Sequence, residues 1–145
     1  MSSATRPYLL DFYPMEDEKY TRIAPFFIHL RAGRLTTTKC EQDGSVHWPP
    51  RVACPNCHGT QLAWVDLPRS GRLYAFSALY LGLPLGMEQD VGAVVGLVAL
   101  GDTHIKIFSR ITGRKYEEIH IGDAVELETF DIDDGRVFYR FKFKV

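Results

Sequence analysis

Three cysteines and one aspartate stand at spacings that restrict how the middle of this chain can fold. Cys54 and Cys57 flank a Pro-Asn pair, and Cys40 lies fourteen residues before Cys54. Two thiolates at this spacing on a tight turn can reach one ion, and Asp43 stands where a zinc ribbon usually has its fourth cysteine. The spacing therefore predicts a zinc ribbon in which Cys40, Asp43, Cys54 and Cys57 hold Zn²⁺.

Four protein ligands would leave no coordination position open for a catalytic water, which indicates a structural metal. Three other interpretations stay open. His47 or His58 is the fourth ligand instead of Asp43, or the site is degenerate and holds no metal. Alternatively, the Cys-x-x-C is a thiol–disulfide redox motif, although that leaves Cys40 and the surrounding turns unexplained.

The charge balance and the cysteine count bear on partners and location. The chain has 17 Lys and Arg against 18 Asp and Glu, a net charge of −1, which counts against nucleic acid as the main partner. Its longest apolar run, residues 91–100, is too short to span a bilayer. Because three cysteines are an odd number and no secretory signal is visible, we expect a cytoplasmic protein without a disulfide framework.

The second half of the sequence reads as strands almost throughout. In residues 136–145, Val137, Tyr139, Phe141 and Phe143 alternate with polar residues, which predicts one inward face. Further strands are predicted at 72–80, 91–100, 104–109 and 125–130, with the first covered on both faces, and residues 115–120 make one helical turn or two. Three strands, a short helix and two strands are the order of a five-stranded OB-fold barrel.

The predicted fold class is therefore mainly β, in three parts. An N-terminal arm and a short helix over 21–33 occupy residues 1–33, because Pro25 suits a first helical turn and Gly33 a C-terminal stop. A rubredoxin-like zinc ribbon occupies 34–66, with strands near 36–39 and 62–65, and the OB-fold barrel occupies 67–145.

Several motifs, in this order, resemble the zinc-ribbon plus OB-fold family of acyl-CoA-associated proteins over about residues 22–145. They are Gly33-Arg34-Leu35, Pro49-Pro50-Arg51, Cys54-Pro55-Asn56-Cys57, Ser70-Gly71-Arg72-Leu73-Tyr74 and Ile121-Gly122-Asp123-Ala124-Val125. The sequence departs from the family at Asp43, where a cysteine is expected. The resemblance implies a small non-catalytic subunit that joins a thiolase-like enzyme in a hetero-oligomer and helps to shape its acyl-CoA site.

The residue types in the sequence also indicate that the catalytic residues lie on another chain. Thiolytic cleavage needs a nucleophilic cysteine, and the predicted metal uses all three thiols. The sequence has no Gly-x-Ser-x-Gly or His-Glu-x-x-His motif. We therefore expect no catalytic residues on this chain, which would be a subunit of an acyl-CoA C-acyltransferase complex.

Two sets of residues are candidates for contacts outside the metal site. Cations that could meet coenzyme A phosphates are Arg51, Arg110, Arg114 and Lys115. Apolar residues of the arm and of the loop after residue 80 are candidates for partner contact, because aromatic and apolar side chains are enriched at interfaces: Tyr8, Leu9, Phe12, Leu83, Leu85 and Met87.

Two other functions compete with an accessory subunit. OB-folds also bind single-stranded nucleic acid, and Phe108, Phe138 and Tyr139 beside Arg140, Lys142 and Lys144 could form a stacking platform. A rubredoxin-like electron carrier would need four thiolates on iron, and this chain has three.

Overall fold

The structure is a computed structural model, and it describes residues 16–83, 88–132 and 135–144, apart from the side chain of Ile132. The first element is helix α1, Ala24–Arg31, which lies within the predicted range and begins with proline in its first turn. It buries Ala24, Phe26 and Leu30. Gly33 follows it with a φ of 82°, a conformation that favours glycine and ends the helix.

A three-stranded antiparallel sheet follows the helix. Its strands are β1 (Thr36–Cys40), β2 (Val46–His47) and β3 (Leu62–Asp66), in the order β2-β1-β3. The two longer strands agree with the predicted ones, whereas β2 was not predicted. Two residues are too few to show an alternating pattern, so the pairing of Lys39 with Val46 is visible only in the structure.

Five strands then close into a barrel with the order β4-β5-β6-β8-β7. They are β4 (Ser70–Leu79), β5 (Ala93–Leu100), β6 (Lys106–Thr112), β7 (Ala124–Ile132) and β8 (Arg136–Phe143). All neighbours are antiparallel except β6 and β8, which pair in parallel. A single 3₁₀ turn, Tyr116–Glu118, lies between β6 and β7. The mainly β class, with a zinc-ribbon region and an OB-fold barrel, is confirmed.

The interior of the barrel follows the predicted alternation. Val137, Phe141 and Phe143 of β8 are buried, as are Ile107 and Ile111 of β6. The prediction that β4 is covered on both faces was wrong. Leu73 is 1% exposed but Tyr74 is 56% exposed, and the register shifts between Leu73 and Ala75. This irregularity, typical of a β-bulge, sends the tyrosine ring to solvent.

Aromatic side chains join the helix, the small sheet and the barrel. The Phe26 ring lies edge-on to Trp48, which follows β2, and to Tyr139 of β8, with centroid distances of 5.9 and 6.3 Å. Trp48 also contacts Tyr139 at 6.3 Å. The three rings therefore connect the cysteine-bearing sheet to the barrel. In the part of the chain that the structure describes, no helix is long and apolar enough to cross a membrane.

Candidate metal centre

The first half of the site is a turn that begins where β1 ends. The Cys40 N–H donates to the Ser45 carbonyl at 2.8 Å, and the Gly44 N–H donates to the Cys40 carbonyl at 2.9 Å. Gly44 has a φ of 75°, a conformation that costs glycine little. The turn directs the side chains of Cys40 and Asp43 to the same side.

The second half repeats this geometry fourteen residues later. The Cys54 N–H donates to the Gly59 carbonyl at 2.9 Å, and the His58 N–H donates to the Cys54 carbonyl at 2.8 Å. His58 takes the place of Gly44, with a φ of 64° that is uncommon for a residue other than glycine. In this correspondence Cys54 matches Cys40, and Cys57 matches Asp43.

One donor atom from each of Cys40, Asp43, Cys54 and Cys57 lies within 4.8 Å of the other three. Sγ of Cys40 is 3.6 Å from Sγ of Cys57, and Oδ2 of Asp43 is 3.3 Å from Sγ of Cys54. Zinc–sulfur bonds of about 2.3 Å place tetrahedral sulfur ligands about 3.8 Å apart. The donor set and its spacing therefore fit a four-coordinate structural metal ion.

The structure does not bring either alternative histidine into this group. Nε2 of His47 is 3.1 Å from Oγ of Ser45, and the exposed His58 contributes its backbone to the second turn. Among the described residues, the group of possible ligands is made of three cysteines and one aspartate. The assignment of these four residues as ligands stays a prediction.

The four side chains differ in their exposure to solvent, and the carboxyl group of Asp43 has a shifted pKa. Cys40 and Cys54 are buried, whereas Asp43 and Cys57 are exposed, and all three cysteines are free thiols. Hydrogen bonds from the hydroxyl and the backbone N–H of Ser45 hold the pKa of Asp43 well below its ordinary value. The carboxylate is therefore ionised at neutral pH, as a metal ligand must be.

Two residues around the site were not predicted from the sequence. Ser45 donates from N and Oγ to Oδ1 of Asp43, at 2.9 and 2.5 Å. The Gln42 side chain lies against Cys57, with 3.4 Å between Oε1 and Sγ. A serine two residues after an aspartate is a sequence signal for an Asx-turn, and it could have identified Ser45.

The cations predicted to meet coenzyme A lie in three places: the loop after β2, strand β6 and the loop that follows β6. Arg51 is exposed in the loop after β2, and its backbone N–H donates to Oγ1 of Thr38 at 2.8 Å. Arg110 pairs with Asp90 at 3.1 Å and Arg114 with Asp123 at 2.9 Å. Lys115 is exposed and precedes the 3₁₀ turn. Coenzyme A binding by these residues stays a prediction.

Only one of the residues predicted for partner contact lies in a described segment. Leu83 is half-buried, whereas Tyr8, Leu9, Phe12, Leu85 and Met87 lie outside the described residues. The described residues beside this loop are apolar and exposed: Tyr80 is 60% exposed, Leu81 90% and Val91 64%.

Comparison with known proteins covers both sheets. Residues 29–63 match the rubredoxin-like zinc ribbon domain of ChsH2, and residues 64–130 match its C-terminal OB-fold domain. "DUF35 domain-containing scaffold" proteins of Methanocaldococcus jannaschii and Methanothermobacter thermautotrophicus are each 30% identical over 76% of this chain, covering 80% and 85% of their own lengths. Benzoylsuccinyl-CoA thiolase subunit BbsA of Thauera aromatica is 29% identical over 77% of this chain and 78% of its own length.

Solved structures agree on the fold. The chain in an Ltp2-ChsH2(DUF35) aldolase structure superposes with a TM-score of 0.74 at 23% identity, over 86% of this chain and 97% of that one. A DUF35 protein of unknown function from Sulfolobus solfataricus superposes at 0.57 with 17% identity, over 90% and 92% of the two chains. The family resemblance noted in the sequence is confirmed: this chain belongs to the DUF35 family and carries its ChsH2-type zinc ribbon and OB-fold domains.

Proposed function

We propose that this chain is a non-catalytic accessory subunit that docks on a thiolase-like catalytic subunit and helps to shape its acyl-CoA site. The observation that carries the proposal is the 29% identity to a thiolase subunit over 78% of that subunit's length. The two archaeal relatives named as scaffold proteins support the same non-catalytic role. The match to BbsA also favours benzoylsuccinyl-CoA thiolase of aromatic degradation as the complex.

The distribution of thiols supports a catalytic cysteine on the partner. Carbon–carbon cleavage by a thiolase uses a cysteine nucleophile. The sequence has three cysteines, and all three lie in the metal-type cluster. A thiolate bound to a structural metal is committed to that metal, so this chain has no further thiol to offer a substrate. In our proposal the metal is Zn²⁺ and its role is to stabilise the ribbon.

The surface of the barrel supports docking on another protein. Tyr80, Leu81 and Val91 are exposed at the adjoining ends of β4 and β5. On the outer face of the barrel, Leu97 of β5 and Phe108 of β6 line an apolar groove of about 300 Å³. Contiguous exposed apolar surface often marks a protein interaction site.

The alternative of a single-stranded nucleic-acid binder is weakened by contacts inside the protein. Arg140 pairs with Glu128 at 2.7 Å and Lys142 with Glu126 at 3.7 Å. Tyr139 packs against Phe26 and Trp48, and so its ring is engaged within the fold. A stacking platform needs open ring faces and cations that are available to phosphates.

Co-expression with a thiolase-like protein from the same organism tests the proposal. We expect the two chains to elute together in size-exclusion chromatography, and thiolysis of an acyl-CoA to require the thiolase-like protein's cysteine. This chain alone should show no thiolysis. A Leu81→Glu variant should weaken the complex, and a Lys39→Glu variant, on an exposed position of β1, serves as the matched control. A chain that remains a monomer beside the thiolase-like protein, without changing its activity, would contradict the proposal.

A further inference from the structure

The two turns of the candidate metal centre are alike in backbone but differ in the chemistry of their last donor. Cys57 offers one sulfur atom, whereas Asp43 offers two oxygens that a metal can bind singly or together. A carboxylate therefore has to be oriented before it can replace a thiolate in a four-coordinate site. The structure contains a group that does this.

That group is Ser45. Its N–H and Oγ both donate to Oδ1 of Asp43, at 2.9 and 2.5 Å. Oδ2 of Asp43 faces the cysteines, 3.3 Å from Sγ of Cys54. The two carboxylate oxygens therefore have different surroundings. Oδ1 is hydrogen-bonded to Ser45, and Oδ2 points at the cysteines.

We infer that Ser45 is a positioning residue for the metal, which fixes Asp43 as a one-oxygen ligand through Oδ2. The inference rests on the proposed metal site and adds a specific role for a residue that lies beside the ligands. Hydrogen bonds from neighbours of this kind orient metal ligands, and their loss typically weakens metal binding about 10–100-fold.

The second turn provides an internal comparison. Gly59 stands there at the position of Ser45, five residues after the first cysteine. A Cβ atom at Gly59 would lie 2.5 Å from Oε1 of Gln42 and 3.3 Å from Sγ of Cys57. A side chain at this position of the second turn would have to displace the Gln42 side chain, whereas the first turn has a serine there that binds the carboxylate.

A purely structural role for Ser45 is the competing explanation, because Asp and Ser side chains often stabilise turns by local hydrogen bonds. A double-mutant cycle distinguishes a role in positioning the metal ligand from a role in stabilising the turn. The Ser45→Ala variant keeps the backbone N–H bond to Oδ1 and loses the hydroxyl, which also lies 3.1 Å from Nε2 of His47 and 3.6 Å from Sγ of Cys54 in both backgrounds. With Asp43→Cys in place, the ligand is a single sulfur atom and has no second oxygen for a hydroxyl to hold.

The test measures zinc affinity by competition with a chromophoric chelator for the wild type, Ser45→Ala, Asp43→Cys, the double variant and Asp43→Ala. We expect Ser45→Ala to weaken zinc binding about 10–100-fold in the wild-type background and less than about threefold beside Asp43→Cys. Ser45→Thr, which keeps a hydroxyl, should retain most of the affinity. Ser77→Ala, on the outer face of the barrel, is the control.

Cobalt(II) absorption spectra give a second readout, because a three-sulfur, one-oxygen ligand set absorbs at different wavelengths from a four-sulfur set. We expect a shift toward the four-sulfur spectrum on Asp43→Cys. Unchanged affinity in Ser45→Ala, or an equal loss in both backgrounds, would overturn the inference, as would unchanged affinity in Asp43→Ala. None of these results depends on the thiolase-like partner, so failure here is distinguishable from failure of the proposed function.

Discussion

The ribbon and the barrel bury different kinds of residue. The barrel core consists of aliphatic and aromatic side chains, with Val98, Ile107, Val125 and Phe141 all fully buried. The buried side chains of the small sheet and its turns are short and polar or sulfur-bearing: Thr36, Thr37, Thr38, Cys40 and Cys54. One region is therefore stabilised mainly by the hydrophobic effect, and the other by directed contacts.

The three buried threonines of β1 show how those contacts work. Oγ1 of Thr36 is 2.9 Å from Nδ1 of His29, and the Thr37 hydroxyl donates to the carbonyl of His47. Oγ1 of Thr38 accepts from the N–H of Arg51. Each hydroxyl ties β1 to a different segment, but each such bond contributes only about 0.5–1.5 kcal/mol net. A region with so small an apolar core needs a further cross-link, which is the role we assign to the metal.

Removal of the metal should have the largest effect and should be confined to the ribbon. We expect the Cys54→Ser variant to lose bound zinc and the ribbon to unfold, because zinc contributes on the order of 10–16 kcal/mol to small zinc-dependent folds. The barrel should keep its own core. Amide NMR spectra with per-residue hydrogen exchange would show protection lost over residues 36–66 and retained in β4 to β8.

Treatment of the wild type with a chelator is the control, since it removes the metal without a substitution. Loss of protection throughout the barrel would show that the two regions form one cooperative unit. A ribbon that stays fully protected without metal would instead show that its hydrogen bonds suffice.

Truncation of a barrel side chain is the converse experiment. Phe141 is fully buried on β8, and Phe→Ala changes at such positions cost about 3–5 kcal/mol. We expect Phe141→Ala to lower the free energy of unfolding of the barrel by this amount in urea denaturation. Phe108→Ala, at a 57% exposed position of the same barrel, should change it by less than about 0.5 kcal/mol. Similar losses in the two variants would contradict the core that the structure assigns.

The features that could be predicted from the sequence, in the ribbon and in the barrel alike, are local patterns. Strands β6 and β8 alternate apolar and polar residues, so their inward faces, including Ile107 and Phe141, could be read directly. Asp43 could be placed because its spacing from Cys40 equals the spacing of Cys57 from Cys54. These patterns are local, and a local pattern survives in a single sequence.

Contacts between distant segments were not predictable in this way. Trp48 contacts Tyr139, which lies 91 positions later in the sequence, and nothing near Trp48 indicates that partner. The bulge that exposes Tyr74 depends on how β4 pairs with β5, and β-pairing is set by the whole barrel. Ser45 was not predicted, for a different reason. Serine is not among the residue types that bind zinc, and here its hydroxyl binds Oδ1 of the predicted ligand Asp43.

The Trp48 contact offers a test of coupling between the two regions. The ring makes two edge-to-face contacts, with Phe26 and Tyr139, and each such pair contributes about 0.5–1.5 kcal/mol beyond area burial. We expect Trp48→Leu to destabilise the protein by about 1–3 kcal/mol while one zinc per chain is retained. A double-mutant cycle with Tyr139→Leu would measure the coupling energy, and a value near zero would mean that this contact does not couple the ribbon to the barrel.

The smallest expected effect concerns pH at the contact between α1 and the small sheet. His29 lies beside Thr36, and its ring is edge-on to Trp64 at 5.6 Å. Burial, with a further contribution from the nearby charge of Arg34, lowers the pKa of His29 below its ordinary value of 6.5, although Asp66 acts in the opposite direction. The folded state therefore disfavours the protonated ring. The unfolded chain binds the proton first as pH falls, so stability decreases below about pH 6.5 and levels off below the folded-state pKa.

The His29→Asn variant isolates this contribution from the other four histidines and from acid release of the metal. An asparagine can keep a polar atom near Oγ1 of Thr36 but does not titrate. We expect the free energy of unfolding, measured in urea at several pH values between 8 and 5.5, to fall slightly more steeply for the wild type than for the variant. A steeper fall in the variant would mean that protonated His29 is stabilised, by Asp66, and that this contact strengthens in acid. Parallel curves would mean that His29 titrates alike in the folded and unfolded chain, and that the link between helix and ribbon is insensitive to pH.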